Sequence, residues 1–223
     1  MLKIISAAER LQQRSGIKGL IVGPYKIGKT TMVKTLNPAT TLFANMEAGM
    51  LSIQDWEGDS MNIESWEMAR DLMCLVGGPN PAMRPDQPYS QAHFEHVSKE
   101  LGPIVDKYET IFWDSLTDAS RLCFQWAKGQ PAAFSEKTGK PDNRGAYGLL
   151  AEEIITWARH AQHTKNKDVF LVGLLDQKKD DYGRITWEMQ IQGSKAGLEI
   201  PGLLDQVISM VELKTPEGQP YRA

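Results

Sequence analysis

Short apolar runs bounded by turn residues recur along this chain. Residues 18–22 (KGLIV), 40–47 (TTLFANME), 109–115 (ETIFWDS) and 168–175 (DVFLVGLL) each have the length and β-branched or aromatic content of a buried strand. Stretches with three- and four-residue apolar spacing lie between them and predict helices over 29–36, 91–107, 116–128 and 149–164. Asn37-Pro38 stops the first of these helices. Residues 61–76 (MNIESWEMARDLMCLV) pass from a brief strand into a further helix after Ser65.

The resulting order, strand and helix in alternation, predicts a mostly parallel sheet with helices on both faces. The end of the chain breaks the alternation. Ile185, Trp187, Met189 and Ile191 alternate with Thr186, Glu188 and Gln190, the pattern of a half-exposed strand. Residues 205–223 predict a strand, a turn and the beginning of a returning strand, cut short or unpaired. Two segments lack any apolar period and read as loops: 77–90, dense in Gly and Pro, and 129–148.

Composition narrows this little. With 223 residues, 41% hydrophobic and 24% charged, the chain can bury one sizeable core, and no repeat or linker divides it, so a single domain over 1–223 is expected. No apolar run approaches the ~20 residues that cross a bilayer. Residues 1–16 read as an amphipathic helix or arm rather than a secretion signal. The expectation is a cytoplasmic protein with no membrane partner. Cys74 and Cys123 stand far apart without metal spacing. A net charge of −3 argues against a surface that coats nucleic acid everywhere, yet permits a local basic loop.

The chemistry concentrates after the first strand, in GPYKIGKTT: Gly23, Pro24, Tyr25, Lys26, Ile27, Gly28, Lys29, Thr30 and Thr31. The spacing G-x-x-x-x-G-K-T between a strand and a helix is that of a phosphate loop. Backbone N–H groups turn inward around phosphate oxygens, and the following helix adds its positive end. Lys29 places a cation on the β and γ phosphates, Thr30 ligates Mg²⁺ and Thr31 faces the α phosphate. ATP and Mg²⁺ are therefore the expected cofactors. Asp114, at the end of another strand, is positioned to hold the Mg²⁺ with Thr30; its alternative role is to cap helix 116–128. Glu47 ends the strand that follows the phosphate-loop helix. A carboxylate there can orient and deprotonate a water that attacks the γ phosphate, or it can be a surface residue before a turn.

Phosphate loop, Glu47, Asp114 and the polar strand end at Asp176-Gln177 follow one another in an order that resembles the RecA-like P-loop NTPase core. With TLFANMEAGMLSI, IFWDSLTDAS, DNRGAYGLL and GSKAGLEIPGLLDQVISM, the chain from about residue 17 to 213 resembles the phage P-loop nucleotide-binding proteins of the RecA-like single-strand annealing family. The resemblance implies a three-layer α/β core. It also implies an ATPase that binds single-stranded DNA, acts in annealing or recombination in a phage-infected bacterial host, forms a ring or filament of identical subunits, and works beside a single-strand DNA-binding protein. It implies a γ-phosphate sensor at Gln177, or failing that Asp176, and a cation from the neighbouring subunit, for which Lys195 stands first and Arg184 second.

DNA-binding loops in such cores follow the Asp and sensor strands. The matching segments are 129–148, with Lys137, Lys140 and Arg144 and the stacking candidates Phe134 and Tyr147, and 176–184, with Lys178 and Lys179 among acids. A solvated charged loop is the alternative for both. A small-molecule or nucleoside kinase and an ATP-driven packaging motor share the phosphate loop, but a kinase normally needs an arginine-rich lid and 129–148 holds only Arg144. The pairs His93/His96 and His160/His163 each lie on one helical face, with no third ligand to complete a metal site.

Overall fold

The computed structural model describes residues 4–12, 15–47 and 49–222. Of the expected N-terminal arm, a short helix α1 (Ala7–Gln12) is described, while residues 1–3, 13 and 14 lie outside the described part.

Six parallel strands form the sheet: β1 (Lys18–Gly23), β2 (Thr41–Asn45), β3 (Asp59–Asn62), β4 (Thr110–Asp114), β5 (Asp168–Lys179) and β7 (Gln206–Ser209). Their spatial order is β3-β2-β4-β5-β1-β7. The seventh strand, β6 (Ile185–Met189), runs antiparallel along the overhanging end of β5, with Asp176 opposite Glu188 and Gln177 opposite Trp187. β5 is thus four residues longer than its apolar run predicts. Its polar second half has no core to enter and is held by the β6 ladder instead.

The central strands are buried on both sides, and their side chains separate by alternation. Leu20, Val22, Leu42, Ala44, Ile111, Trp113, Val169 and Leu171 face the larger core. That core is closed by α2 (Trp66–Gly77), α3 (Gln91–Asp106), α4 (Leu116–Lys128) and α5 (Asn143–Gln162). Trp66, Trp113 and Trp157 are fully buried there, and each such large apolar side chain contributes about 1.5–3 kcal/mol. Ile21, Phe43, Phe112 and Val172 face the opposite way, toward Val33 and Ile53. Among the described residues two 3-10 turns, Thr30–Thr35 and Leu51–Ile53, with adjoining loop residues such as Met50, Trp56 and Met210, cover that side. The result is the three-layer arrangement expected, with very unequal outer layers.

Serines cap three helices as the sequence suggests: Ser65, Ser90 and Ser115 accept from the N–H groups of Met68, His93 and Asp118. Helix α5 starts six residues before the expected position. Asp142 accepts from Arg144 N at 2.9 Å and caps it, and the two glycines of NRGAYG concealed the first turn. Gly145 is needed there because a Cβ would lie 1.9 Å from the Ala132 carbonyl oxygen. The loop before it spans 129–142, folded back by a Phe134–Pro141 bridge. α6 (Ser194–Glu199), absent from the sequence reading, leads into β7. The returning strand expected to be cut short does form: β8 (Glu212–Lys214) pairs antiparallel with β9 (Pro220–Arg222). No helix among the described residues is long and apolar enough to cross a membrane.

Candidate nucleotide site

β1 delivers its last residue, Gly23, into register with Leu174 of β5, and the chain then turns away through residues 24–29. Gly28 has φ +108°, a conformation open to glycine and closed to most other residues, so the sequence has little freedom at this turn. Ile27 anchors the loop by burial, while Tyr25 and Lys26 stay exposed. Lys29 is 8% exposed, and its Nζ donates to the carbonyl oxygens of Gly23 (3.0 Å) and Pro24 (2.8 Å). The ammonium is thereby curled into its own loop, where a phosphate oxygen can replace the weaker carbonyl partners. Burial lowers the Lys29 pKa, and Asp114 and Glu47 act in the opposite direction.

The segment after the loop is a correction to the expected helix. It is a six-residue 3-10 turn, Thr30–Thr35, with Thr31 exposed. Thr30, Thr31, Val33 and Thr35 are β-branched and poor α-formers, and Asn37-Pro38 leaves no room for a second turn.

Thr30 Oγ1 donates to Asp114 Oδ2 at 2.5 Å, and Asp114 is 2% exposed. The paired hydroxyl and carboxylate are the donor set expected of a Mg²⁺ site beside a phosphate loop. β4 and β2 hold this arrangement in register, with Asn45 opposite Asp114 and Met46 N donating to Asp114 O at 2.7 Å. Burial raises the Asp114 pKa, while Thr30 and Lys29 pull it back down.

Glu47 lies two residues past β2. Although the residue is exposed, loss of hydration raises its pKa above the ordinary glutamate range. The Ser115 hydroxyl beside it works the other way, and Asp114 and Asp118 reinforce the rise. Ser115 and Asp118 were missed as site residues. Their signal was a capping pair, Ser-x-x-Asp: Ser115 Oγ bonds Asp118 Oδ2 at 2.8 Å and accepts from Asp118 N. The same local structure that starts α4 brings polar groups to Glu47.

The overhang of β5 places Asp176 and Gln177 beside the phosphate loop. They line a cleft of about 660 Å³ with Pro24, Tyr25, Lys26, Ile27 and the far side of the C-terminal hairpin. Lys195 is elsewhere, exposed on α6 with Nζ 3.8 Å from Glu199, and the cleft lining does not include it. Arg184 pairs with Asp180 at 3.6 Å and stacks over Tyr182 at the β5–β6 turn.

The expected DNA loops separate into two kinds. Lys137, Lys140 and Arg144 are exposed, and no ion pair engages them among the described residues; Arg144 and Tyr147 belong to α5, with Tyr147 stacked on Phe124 at 4.4 Å. Segment 176–184 is a β-hairpin rather than a loop, and Lys178 bonds Glu188 at 2.5 Å while Lys179 stays exposed. His93 bonds Asp71 at 2.9 Å, and His160 is buried with its ring stacked on Tyr89. No cluster of three metal-binding side chains occurs among the described residues.

One strand, β5, separates the phosphate-loop strand from the strand that ends in Asp114, and Thr30 and Asp114 meet between them. Sheet order and site together define a P-loop NTPase, a nucleotide-binding protein of the ATPase class. The chain belongs to the AAA domain family, whose profile matches residues 15–220. No curated protein matches it. Among solved structures it is similar to the crystal structure of the RadB recombinase, at 13% identity and a TM-score of 0.35, over 92% of this chain and 78% of the other.

Proposed function

We propose that this protein is a Mg²⁺-dependent ATPase that acts on single-stranded DNA, in the strand annealing or recombination of a phage-infected bacterial cytoplasm. The observation that carries the hydrolytic reading is the Thr30–Asp114 bond beside the curled Lys29, with Glu47 at the neighbouring strand end.

In this reading the loop residues 23–31 hold the phosphate chain, and Lys29 leaves its carbonyl partners for the β and γ phosphates. Thr30 and Asp114 would hold Mg²⁺, which supplies charge neutralisation when bound. Glu47 orients a water and accepts its proton as the water oxygen bonds the γ phosphorus and the bond to the β-bridging oxygen breaks, giving ADP and phosphate. Its raised pKa makes it a stronger base than an ordinary glutamate. Ser115 and Asp118 position its carboxylate, and Gln177, with Asp176 as the second choice, senses the γ phosphate.

The DNA reading draws on the resemblance of the sequence and on the unpaired cations Lys137, Lys140 and Arg144. Lys179 is a weaker candidate, and the pairing of Lys178 with Glu188 sets it lower still. A homo-oligomer, a partner single-strand DNA-binding protein and a trans-acting Lys195 belong to the same proposal.

Steady-state ATP hydrolysis with and without single-stranded DNA tests it, in wild type and Glu47→Gln. The expected result is DNA-stimulated turnover that falls by at least about 100-fold in the variant. Turnover unchanged by the substitution removes Glu47 as the base. Phosphorylation of a small acceptor in place of water makes the protein a kinase.

A further inference from the structure

The cleft beside the phosphate loop has a wall that no local pattern in the chain predicts. After β7 the chain crosses the mouth of the loop, turns through β8 and returns in β9, so that Glu212 and Arg222 join Lys26 in lining the cleft. A Cβ placed on Gly28 would lie 3.8 Å from Arg222 Nη1 and 4.0 Å from Met210 Cε. The guanidinium therefore reaches the glycine whose turn shapes the loop.

Arg222 makes no ion pair among the described residues, although Glu212 faces it across the hairpin in register. An arginine presents five donors in a planar fork suited to phosphate oxygens, and it stays charged at any physiological pH. Here such a group hangs unpaired at a loop whose residues already include Lys26 and Lys29. Glu212 and Asp176 line the same cleft, but neither forms an ion pair with it among the described residues, and an anion in the loop would engage it.

We propose that Arg222 is a phosphate-binding residue of the nucleotide site, supplied from β9 of the same chain. It clamps the phosphate chain from the side opposite Lys29, and the β8–β9 hairpin is the arm that carries it. The inference rests on the reading of residues 23–31 as a nucleotide site, and it adds a cation from within the chain to one that the proposed function seeks in a neighbour.

The test is titration of the full-length protein with a fluorescent ATP analogue in Mg²⁺, followed by displacement with inorganic tripolyphosphate. Arg222→Ala and Arg222→Gln are compared with wild type, with Lys29→Ala as the reference for a broken loop and Tyr221→Ala as the reference for a perturbed hairpin. We expect both Arg222 variants to weaken the analogue and tripolyphosphate alike by about 10-fold, and Tyr221→Ala to leave both within about twofold. Wild-type affinity in either folded Arg222 variant, with Lys29→Ala impaired, overturns the proposal and leaves the nucleotide site standing. Wild-type affinity in Lys29→Ala overturns the nucleotide reading itself. Weakened binding of the analogue with tripolyphosphate unaffected places Arg222 on the base or ribose and overturns its assignment to phosphate. If Arg222→Ala lowers the melting temperature, Arg222→Gln and Arg222→Lys decide, since both retain a long polar side chain on β9.

Discussion

Asp114 serves two opposing demands. Burial at the end of β4 disfavours its charge, while the Thr30 hydroxyl and Lys29 ammonium favour it, and the balance leaves its pKa raised. A raised carboxyl pKa means that the folded chain binds a proton more tightly than the unfolded chain. The associated stability is present below the unfolded value and is lost as pH rises through the folded one. At neutral pH, without metal or nucleotide, ionised Asp114 is therefore a liability. Asp114→Asn should raise the melting temperature at pH 8 by about 2–4 °C, corresponding to roughly 1 kcal/mol, while abolishing ATP turnover. The gain should shrink as the pH is lowered toward 4. A variant less stable than wild type at pH 8 would mean that the carboxylate is better satisfied than its burial implies. Glu47 follows the same sign with a kinetic readout: hydrolysis should fall on acidification at a pH above the ordinary glutamate value.

At the scale of elements, the packing of α5 against α2 creates a second titration. His160 on α5 is 4% exposed, its ring 4.2 Å from that of Tyr89, and Gly77 of α2 has no side chain so that the imidazole can fit. Burial pushes its pKa down to about 4, against a small opposing effect of the Gly78 backbone. A depressed histidine pKa contributes stability above the unfolded value near 6.5, and that stability is lost as pH falls toward 4. Urea unfolding between pH 6.5 and 4 should show a loss of about 2–3 kcal/mol that is missing in His160→Phe. A parallel pH slope in the two proteins would exclude His160 as the source. Cys74 and Cys123 lie in the same core, with burial driving both thiol pKa values up and Cys74 to about 12.

The sequence announced these elements unevenly, for physical reasons. Helix α4 matches its expected span because Ser115 and Lys128 fall where its hydrogen bonding and apolar period both end. The strands ending at Gly23, Asn45 and Asp114 were legible because both faces are buried, and a buried strand reads as an apolar run. The start of α5 was not, since its first turn depends on Gly145 meeting Ala132 across a loop. The extension of β5 and the placement of Arg222 depend on cross-strand partners 6 to 12 residues away, from Lys179 with Ile185 to Asp176 with Glu188, and on Glu212 with Arg222. Local periodicity contains no trace of such pairings. The phosphate loop, by contrast, has a local signature: the turn at Gly28 was legible in it, and the 3-10 turn after it was not.

For the whole molecule, the unequal layers separate a rigid side from an accessible one. Four helices lock one face of the sheet, whereas the face carrying Val33 and Ile53 has only 3-10 turns and loops over it. The proposed DNA contacts Lys137, Lys140 and Arg144 sit where α5 begins, on the well-packed side. Replacing all three with alanine should weaken binding to single-stranded DNA. It should also reduce the slope of log affinity against log salt by about 2, since each lost phosphate contact removes roughly 0.7 on a single strand. Unchanged affinity and slope would remove this segment from the DNA-binding surface. β5 gives the molecule a further property. Its 12 residues run without a break from the centre of the sheet, past the phosphate loop, to the turn at Asp180, a span of roughly 40 Å. There is no hinge between the tip of that hairpin and Gln177, so an object that grips the tip holds the rim of the cleft by a stiff lever, and whatever orders one end is felt at the other without any loop in which to be lost.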